Sequence, residues 1–215
     1  MKITNHVHML DCTKGSHAYL ILGKETILVD TCVPGRGKQI LNEVKTLHIN
    51  PQEIKHILLT HHDLDHIGNA AMLQKATGAQ VWASREDIPY ILGQKTRHGI
   101  KKYLSLVMKA KKPQPINEYP ADNRLGEIEI IPTPGHTPGH VSLLFQDVLF
   151  AGDLLATKHG IVNPSPPIMT WDRPLLIESI KKILPLSFNV ICPAHGDPVI
   201  RGQTLDKFNE LTLDY

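Results

Sequence analysis

Cysteine is scarce in this chain, which has three among its 215 residues: Cys12, Cys32 and Cys192. They show no C-x-x-C spacing, and an odd number of cysteines cannot all pair. A chain of this kind is typical of a reducing compartment, so we expect buried thiols rather than a disulfide framework.

Long apolar runs are also lacking. The N-terminal stretch MKITNHVHML has no apolar run of the roughly 7–15 residues that a signal peptide requires. No run in the chain approaches the ~18 apolar residues that would span a bilayer. These absences predict a soluble, cytoplasmic protein that does not bind membranes.

A strong excess of one charge is absent as well. The net charge is +2 with histidine neutral, which is too small to indicate a nucleic-acid partner. Hydrophobic residues make up 41% and charged residues 20%, the composition of a globular chain rather than a disordered one. Histidine is unusually frequent, with 13 copies, several of them beside Asp or Gly.

Short apolar runs predict strands, and several of these runs end next to a histidine or an aspartate. The predicted strands are HAYLIL, TILVD, IKHILLT, QVWAS, EIEIIPT, VSLLFQ, DVLFAGD and NVICPAH. Helical spacing predicts helices over GKQILNEVKTLHI, over IGNAAMLQKATG as far as Gly78, and over RPLLIESIKKIL with Pro174 in its first turn. Polar residues clustered at strand ends indicate a site built on loops at one edge of a rigid sheet.

A basic segment at 94–112 carries seven Lys or Arg residues and no acidic residue. An apolar stripe of Ile100, Tyr103, Leu104 and Val107 predicts an amphipathic helix. One interpretation is an excursion, extending to about residue 118, that packs on the body with its basic face in water. A second is a lid near the site whose cations attract an anionic substrate. Binding to a membrane surface or to nucleic acid is a third.

Four stretches carry candidate metal ligands, because His and Asp supply the nitrogen and oxygen atoms that bind metals. They are THHDLDHIG, PTPGHTPGH, FAGDLL and PAHGD. If these loops meet at one sheet edge, they supply enough ligands for two metal ions that share a water. The isolated histidines His6, His8, His48 and His56 are interpreted as packed core residues.

These four stretches, in this order, resemble the metallo-β-lactamase superfamily. Its members share an H-x-H-x-D-H motif followed by His, Asp and His ligands, and the match runs from about Asp30 to His195. The resemblance implies an α+β fold, the αββα sandwich of two packed sheets with helices on the outer faces. It also implies a single domain over residues 1–215 with the metals at one sheet edge.

The resemblance gives the register of the first motif. Asp65 and His66, followed by Gly68, match its D-H pair, and His61 then takes the first His position. The second His position falls on Asp63, and the intervening His62 is expected to point away. Three roles for the residue at position 63 stay open: direct ligation, contact through a water, or no role at the metal.

The ligand set that the resemblance implies comprises two metal sites with a shared carboxylate. Site 1 is His61, Asp63 and His136, site 2 is Asp65, His66 and His195, and Asp153 bridges the two ions. Asp30 and His140 are expected to support these ligands through hydrogen bonds. The ions are expected to be two zinc ions, with iron and manganese as alternatives.

The implied function is metal-dependent hydrolysis by a metal-activated water, with Asp65 as the catalytic residue that holds or shuttles the proton. The expected substrate is a small cytoplasmic ester, thioester or lactone, which an anionic group would suit. The family's nucleases have a glycine at the motif position that Leu64 occupies here, so a nucleic-acid substrate is disfavoured. A homodimer formed through the apolar stripe stays open.

Two other functions are weighed against hydrolysis. The first is an iron-binding redox enzyme of the same fold, either like the persulfide dioxygenases or with di-iron oxygen chemistry, because a carboxylate in the second His position occurs in the flavodiiron proteins. The second is a non-catalytic binding module in which Asp63 has spoiled the site. Bound iron with oxygen consumption distinguishes the first, and a protein without metal or esterase activity distinguishes the second.

Overall fold

A computed structural model of the chain describes residues 1–201. Contacts divide the chain into two compact units, one over Met1–Tyr119 and one that begins at Pro120. The expectation of a single domain stays a prediction. Among the described residues, no helix combines the length and the apolar character needed to cross a membrane.

The first unit is built on a six-stranded sheet whose strand order follows the chain. Its strands are β1 (Val7–Met9), β2 (Tyr19–Leu22), β3 (Thr26–Val29), β4 (Ile54–Leu58), β5 (Gln80–Ala83) and β6 (Ile116–Glu118). The first three strands are antiparallel, and β3 to β6 are parallel. A tight turn joins β2 to β3, whereas parallel neighbours need longer crossovers, which here contain the helices.

Five short helices belong to this unit: α1 (Gly37–Thr46), α2 (Leu64–Ile67), α3 (Ala70–Thr77), α4 (Ile88–Ile91) and α5 (Lys101–Val107). Ile40 and Val44, one helical turn apart on α1, are both buried in the core of the unit. The predicted helix over 67–78 begins at Ala70 instead. The side chain of Asn69 accepts hydrogen bonds from the backbone of Gly35 and Gly37, which interrupts the helix between α2 and α3.

The second unit contains β7 (Arg124–Leu125), β8 (Ile128–Pro132), β9 (Val141–Phe145), β10 (Val148–Gly152), β11 (Leu155–Lys158), β12 (Ile161–Pro164), α6 (Arg173–Ile183), β13 (Val190–Pro193) and β14 (Val199–Ile200). Its main sheet has the order β14-β13-β10-β9-β8-β7, and β11 pairs with β12 in a separate hairpin. Only β10 and β13 are parallel neighbours in the main sheet as described. The predicted helix over 173–184 is confirmed: Asp172 accepts from the Leu175 amide at 3.0 Å, and Pro174 stands in the first turn.

The basic segment differs from its prediction. Only Lys101–Val107 is helical, and Ile100, Tyr103 and Leu104 are exposed by 42%, 65% and 42%. Lys101 is 6% exposed, so a cation is buried while apolar side chains face solvent. The interpretation of an excursion with its basic face in water therefore fails at Lys101, whereas Lys102, Lys109 and Lys111 are exposed as it expects. The reason is a specific partner for Lys101, which belongs to the candidate site.

The isolated histidines were also interpreted wrongly. His6 and His48 are exposed, and His8 and His56 are only partly buried. His56 lies on β4, where its ring accepts a hydrogen bond from Trp82 Nε1 at 3.0 Å. His6 and His56 make their hydrogen bonds outside the core, the former through Nδ1 to the Leu22 carbonyl oxygen at 2.9 Å.

The cysteines are all free thiols, as expected. Cys32 and Cys192 are buried, and Cys12 is partly buried. Burial, helped by a hydrogen bond to Glu43, raises the pKa of Cys12 to about 12. Burial likewise raises the pKa of Cys32 and of Cys192. The thiols therefore stay protonated, and none is a reactive thiolate at neutral pH.

Candidate metal centre

The first group of candidate ligands follows the adjacent carboxyl ends of β3 and β4. Asp30, directly after β3, accepts hydrogen bonds from the backbone amide and the hydroxyl of Thr60 at 2.9 and 2.7 Å. The same carboxylate accepts from Nδ1 of His66 at 2.8 Å. Asp30 is buried and has a positive φ of 56°, a conformation that Asp tolerates better than most residues. This is the supporting contact that was expected of Asp30.

Hydrogen-bond logic assigns the tautomers of the two imidazoles in this group. The single hydroxyl proton of Thr60 goes to Asp30, so Thr60 Oγ1 accepts at 3.0 Å from Nδ1–H of His61. His66 uses its own Nδ1–H toward Asp30. Both imidazoles therefore carry their lone pairs on Nε2, the form that binds a metal through Nε2.

The helical turn of α2 that carries His66 depends on a glycine at its end. A Cβ atom on Gly68 would lie 2.4 Å from the carbonyl oxygen of Cys32 and from the nitrogen of Pro34. Thr31 holds the same turn from the other side, because its hydroxyl and its amide both donate to the His66 carbonyl at 2.7 Å. Backbone contacts therefore place this ligand before any metal binds.

Asp63, the residue in the second His position, lies among three basic groups. Its Oδ2 is 3.4 Å from Nε2 of His61 and 2.6 Å from Nζ of Lys101, and its Oδ1 is 3.7 Å from Nε2 of His62. Asp63 precedes α2, but its side chain makes no capping hydrogen bond. The carboxylate is 7% exposed and is directed at basic groups rather than at the helix backbone.

His62 has partners of its own away from Asp30 and His66. Its amide donates to Oδ2 of the fully buried Asp87 at 2.9 Å, and its Nδ1 lies 2.9 Å from the same oxygen. Its ring stacks on Tyr90, with centroids 4.4 Å apart and planes inclined by 14°. This arrangement is consistent with the expectation that His62 stands between ligand positions rather than at one.

In the second unit, Asp153 follows β10 and lies between two imidazoles. Its Oδ2 is 3.3 Å from Nε2 of His136, and its Oδ1 is 3.3 Å from Nε2 of His195. His195 follows β13, the parallel neighbour of β10, so the two strand ends bring both side chains to one place. A carboxylate with one imidazole at each oxygen has the arrangement that a bridging ligand requires.

His136 is oriented from behind. Its Nδ1 lies 2.8 Å from the hydroxyl of the buried Ser165, which leaves Nε2 toward Asp153. The turn before it uses Gly135 at a φ of 134°, where a Cβ would lie 2.3 Å from the backbone of Leu176 on α6. The turn therefore packs directly against that helix.

His140 supports the site without facing an ion. Its Nε2 accepts from the backbone amide of Asp153 at 3.0 Å, so Nδ1 carries the proton and is directed at Thr133 Oγ1 at 2.9 Å. Both ring nitrogens are engaged, as expected for a residue that positions a ligand. His195 differs in being 39% exposed at its side chain, which makes it the most accessible imidazole of this group.

The donor set fits a metal ion. In each unit, imidazole nitrogens and carboxylate oxygens lie close enough to share one ion. A tetrahedral ion with bonds of about 2.1 Å holds its ligand atoms about 3.4 Å apart. The His61–Asp63, His136–Asp153 and His195–Asp153 separations of 3.4, 3.3 and 3.3 Å match this value, whereas His66 Nε2 and Asp65 Oδ2 are 3.8 Å apart. The metal-ligand roles themselves stay predictions.

Several supporting residues were not predicted from the sequence: Thr31, Thr60, Asp87, Lys101, Thr133 and Ser165. Thr60 and Thr133 are the last residues of predicted strands, so their positions beside the motifs were a usable signal. Lys101 carried no signal, because it is one cation in a run of cations. Its burial follows from packing against Asp63.

Comparison with known families and proteins shows the family to which the chain belongs. The family model described as the metallo-beta-lactamase superfamily matches residues 13–195. A probable metallo-hydrolase of Methanocaldococcus jannaschii is 31% identical over 170 residues, covering 79% of this chain and 71% of that protein. The hydroxyacylglutathione hydrolase GloC of Haemophilus influenzae is 31% identical over 188 residues, covering 79% of this chain and 80% of that protein.

Solved structures show the same fold. An archaeal metallo-beta-lactamase superfamily protein from Sulfolobus tokodaii has a TM-score of 0.74 and 23% identity, over 99% of this chain and 88% of that one. A structure described as a di-iron-bound form has a TM-score of 0.70 and 25% identity, over 86% of this chain and 89% of that one. The predicted α+β fold class, with its two mixed sheets and its helices, is confirmed.

Proposed function

Since the chain belongs to the metallo-beta-lactamase superfamily, we propose that it is a metal-dependent hydrolase of small esters, thioesters or lactones. The observation that carries this proposal is Asp153, whose two oxygens each lie 3.3 Å from an imidazole Nε2. A buried carboxylate shared in this way is suited to two adjacent cations.

The proposed dinuclear centre uses the ligands in the order of the family motif. His61, His136 and Asp153 hold one ion, with Asp63 as its further ligand, and Asp65, His66, His195 and Asp153 hold the other. Asp30, Ser165 and His140 keep ligand side chains or backbone in place through the hydrogen bonds described above. Zinc is the proposed metal.

Divalent ions bound there would supply Lewis-acid chemistry, which polarises a substrate carbonyl and lowers the pKa of water toward ~7. Asp65 is the residue proposed to hold and pass on the proton, because its carboxylate is 27% exposed while that of Asp63 is 7% exposed. Access to solvent and substrate is what a proton carrier needs.

An anionic substrate is proposed from a cavity in the first unit. The cavity has a volume of about 510 Å³ and shares α2 with the candidate ligands, since Leu64 and Ile67 line it. Its cationic lining residues are Lys95, Arg97, Lys102, Lys109 and Lys112, and the described lining includes no carboxylate. Apolar side chains such as Tyr90 and Met108 complete the wall. This lining favours a ligand that has both an acidic group and an apolar part.

The relative named hydroxyacylglutathione hydrolase makes acyl derivatives of glutathione the first substrates to test. We expect hydrolysis of a thioester panel to exceed that of lactones, and we expect anionic thioesters to be preferred over neutral ones of equal acyl length. The measurement is kcat/KM across matched pairs, with elemental analysis of the same preparation. Hydrolysis that is independent of bound metal, or no hydrolysis by protein that holds two ions, would contradict the proposal.

Iron-dependent redox chemistry is the second candidate, favoured by a structural relative in a di-iron-bound form and by the carboxylate at Asp63. Two histidines and a carboxylate form a ligand set found in non-haem iron sites. Predominantly iron in protein purified from cells grown without added metal, together with oxygen consumption, would favour this candidate over hydrolysis.

A further inference from the structure

The Lys101–Asp63 ion pair is formed at the carboxylate oxygen that a metal ion would bind. Nζ of Lys101 lies 2.6 Å from Oδ2 of Asp63, and each side chain is 7% exposed. The same Oδ2 is the atom that lies 3.4 Å from Nε2 of His61. An ammonium group therefore contacts the oxygen that would complete the ion's coordination beside His61.

The segment that carries Lys101 is attached to the motif at a second point. Arg97 donates from Nη2 and Nε to the His62 carbonyl at 2.7 and 3.3 Å. Burial lowers the pKa of Arg97, while Asp63 and Asp87 act to raise it. Two cations, four positions apart, thus hold the segment against the loop of His62 and Asp63.

The burial of Lys101 is not a by-product of helix packing. Its neighbours Ile100, Tyr103 and Leu104 are exposed, so burial of these apolar side chains does not draw the lysine inside. Removing an ammonium from water is costly unless a partner of opposite charge compensates it. The contact with Asp63 is what keeps the lysine inside.

We propose, on the basis of the metal centre proposed above, that Lys101 is an internal cation that competes with a metal ion for Oδ2 of Asp63. A divalent ion that binds beside His61 through this oxygen must displace the ammonium group from it, and breaking the buried ion pair weakens the binding of the ion. The ion at the His61 position is therefore bound more weakly than the ion at the His66 position. The Lys101–Asp63 pair has no net charge. A neutral imidazole, which the family motif has at position 63, has none either, so the pair matches it in charge.

The test is a zinc titration of wild type and of Lys101→Met, starting from chelator-stripped protein and read by elemental analysis and competition with a chromophoric chelator. Wild type is expected to bind one ion tightly and the second about tenfold or more weakly, and Lys101→Met is expected to tighten the second ion by about tenfold. Lys111→Met, an exposed lysine of the same segment, is the matched control and should titrate as wild type. Equal second-ion affinity in wild type and Lys101→Met would overturn the inference.

The variant Asp63→Asn separates a contact effect from a general charge effect. If Lys101 acts through Asp63, adding Lys101→Met to Asp63→Asn should change the second-ion affinity by less than about twofold. An equal tightening in both backgrounds would overturn the inference, since the lysine would then act as a distant charge. Lys101→Arg keeps a cation at the carboxylate, so this variant should bind the second ion as weakly as wild type does. A higher affinity for the second ion in Lys101→Arg would also count against competition.

Thermal unfolding supplies a readout that does not depend on activity. Without metal, Lys101→Met should melt at a lower temperature than wild type, because Asp63 is left buried without its cation. Zinc should raise the melting temperature of Lys101→Met by more than that of wild type. Protein that takes up no metal in any variant overturns the metal centre as well, whereas two equally tight ions in every variant overturn only the role of Lys101.

Discussion

At the residue scale, Asp30 organises the first ligand group with one carboxylate. It binds the amide and hydroxyl of Thr60 and the ring of His66, so it links the end of β3 to the motif that follows β4. Asp30 sets the tautomer and the direction of the His66 ring. Replacing Asp30 is therefore expected to change metal affinity as well as the fold.

Asp30→Asn tests this link. The amide group would place a donor opposite His66 Nδ1–H, and metal affinity is expected to fall by about 10–100-fold, as for other residues that orient metal ligands. The measurement is a chelator competition titration, with the exposed Asp122→Asn as the control. Unchanged affinity in Asp30→Asn would show that the hydrogen bond to His66 does not orient a ligand.

Asp153 is the second decisive residue. Asp153→Ala removes the carboxylate that lies between His136 and His195, so bound metal and hydrolytic activity are expected to be lost together. Elemental analysis before and after dialysis measures the loss, and the exposed Asp197→Ala serves as the control. Two ions per chain retained in Asp153→Ala would be incompatible with a shared ligand.

At the element scale, the β11–β12 hairpin holds the loop after β13 in place. Thr157 of β11 donates from its amide to the His195 carbonyl at 2.9 Å and from its hydroxyl to the Asp197 carbonyl at 2.6 Å. Gly196 lies between these contacts at a φ of 94°, where a Cβ would stand 1.9 Å from the Thr157 carbonyl oxygen. The hairpin and the loop can approach this closely only because residue 196 has no side chain.

Gly196→Ala is therefore expected to destabilise the protein by about 3 kcal/mol or more, since it adds a backbone clash to the strain of a positive φ. Gly160→Ala, at a φ of 76° with nothing within 4 Å of the added Cβ, carries the strain alone and should cost about 1 kcal/mol. Urea unfolding of both variants gives the difference. Similar losses would mean that the hairpin can move away from the loop.

At the scale of the whole molecule, bound metal should contribute to stability. An ion that binds only the folded chain stabilises it by about 2.7 kcal/mol when free metal is about 100 times Kd. Calorimetric melting with a chelator, and again after zinc is restored, should show a reversible rise in Tm. A melting temperature independent of zinc would contradict the proposed centre.

Many strands could be predicted from the sequence, because apolar runs bounded by turn residues indicate a strand without knowledge of the strands that pair with it. β2, β3, β4, β5, β8, β9, β10 and β13 all lie within predicted runs. The shortest strands, such as β7 and β14 with two residues each, were missed, since so few residues carry no periodicity. The β11–β12 hairpin was missed as well, because no run in Leu155–Pro164 was predicted as a strand.

The sequence by itself determined the family and the order of the candidate ligands, because each ligand motif is a local pattern that follows a strand and needs no knowledge of distant partners. Only the tertiary structure decided what surrounds them: the Thr60–Asp30–His66 network, the contact of His62 with Asp87, and the burial of Lys101 against Asp63. Such contacts join residues far apart in the chain, and their existence depends on packing that no local pattern encodes. A lysine in a basic run looks the same in the sequence whether it faces water or, like Lys101, is buried against a carboxylate.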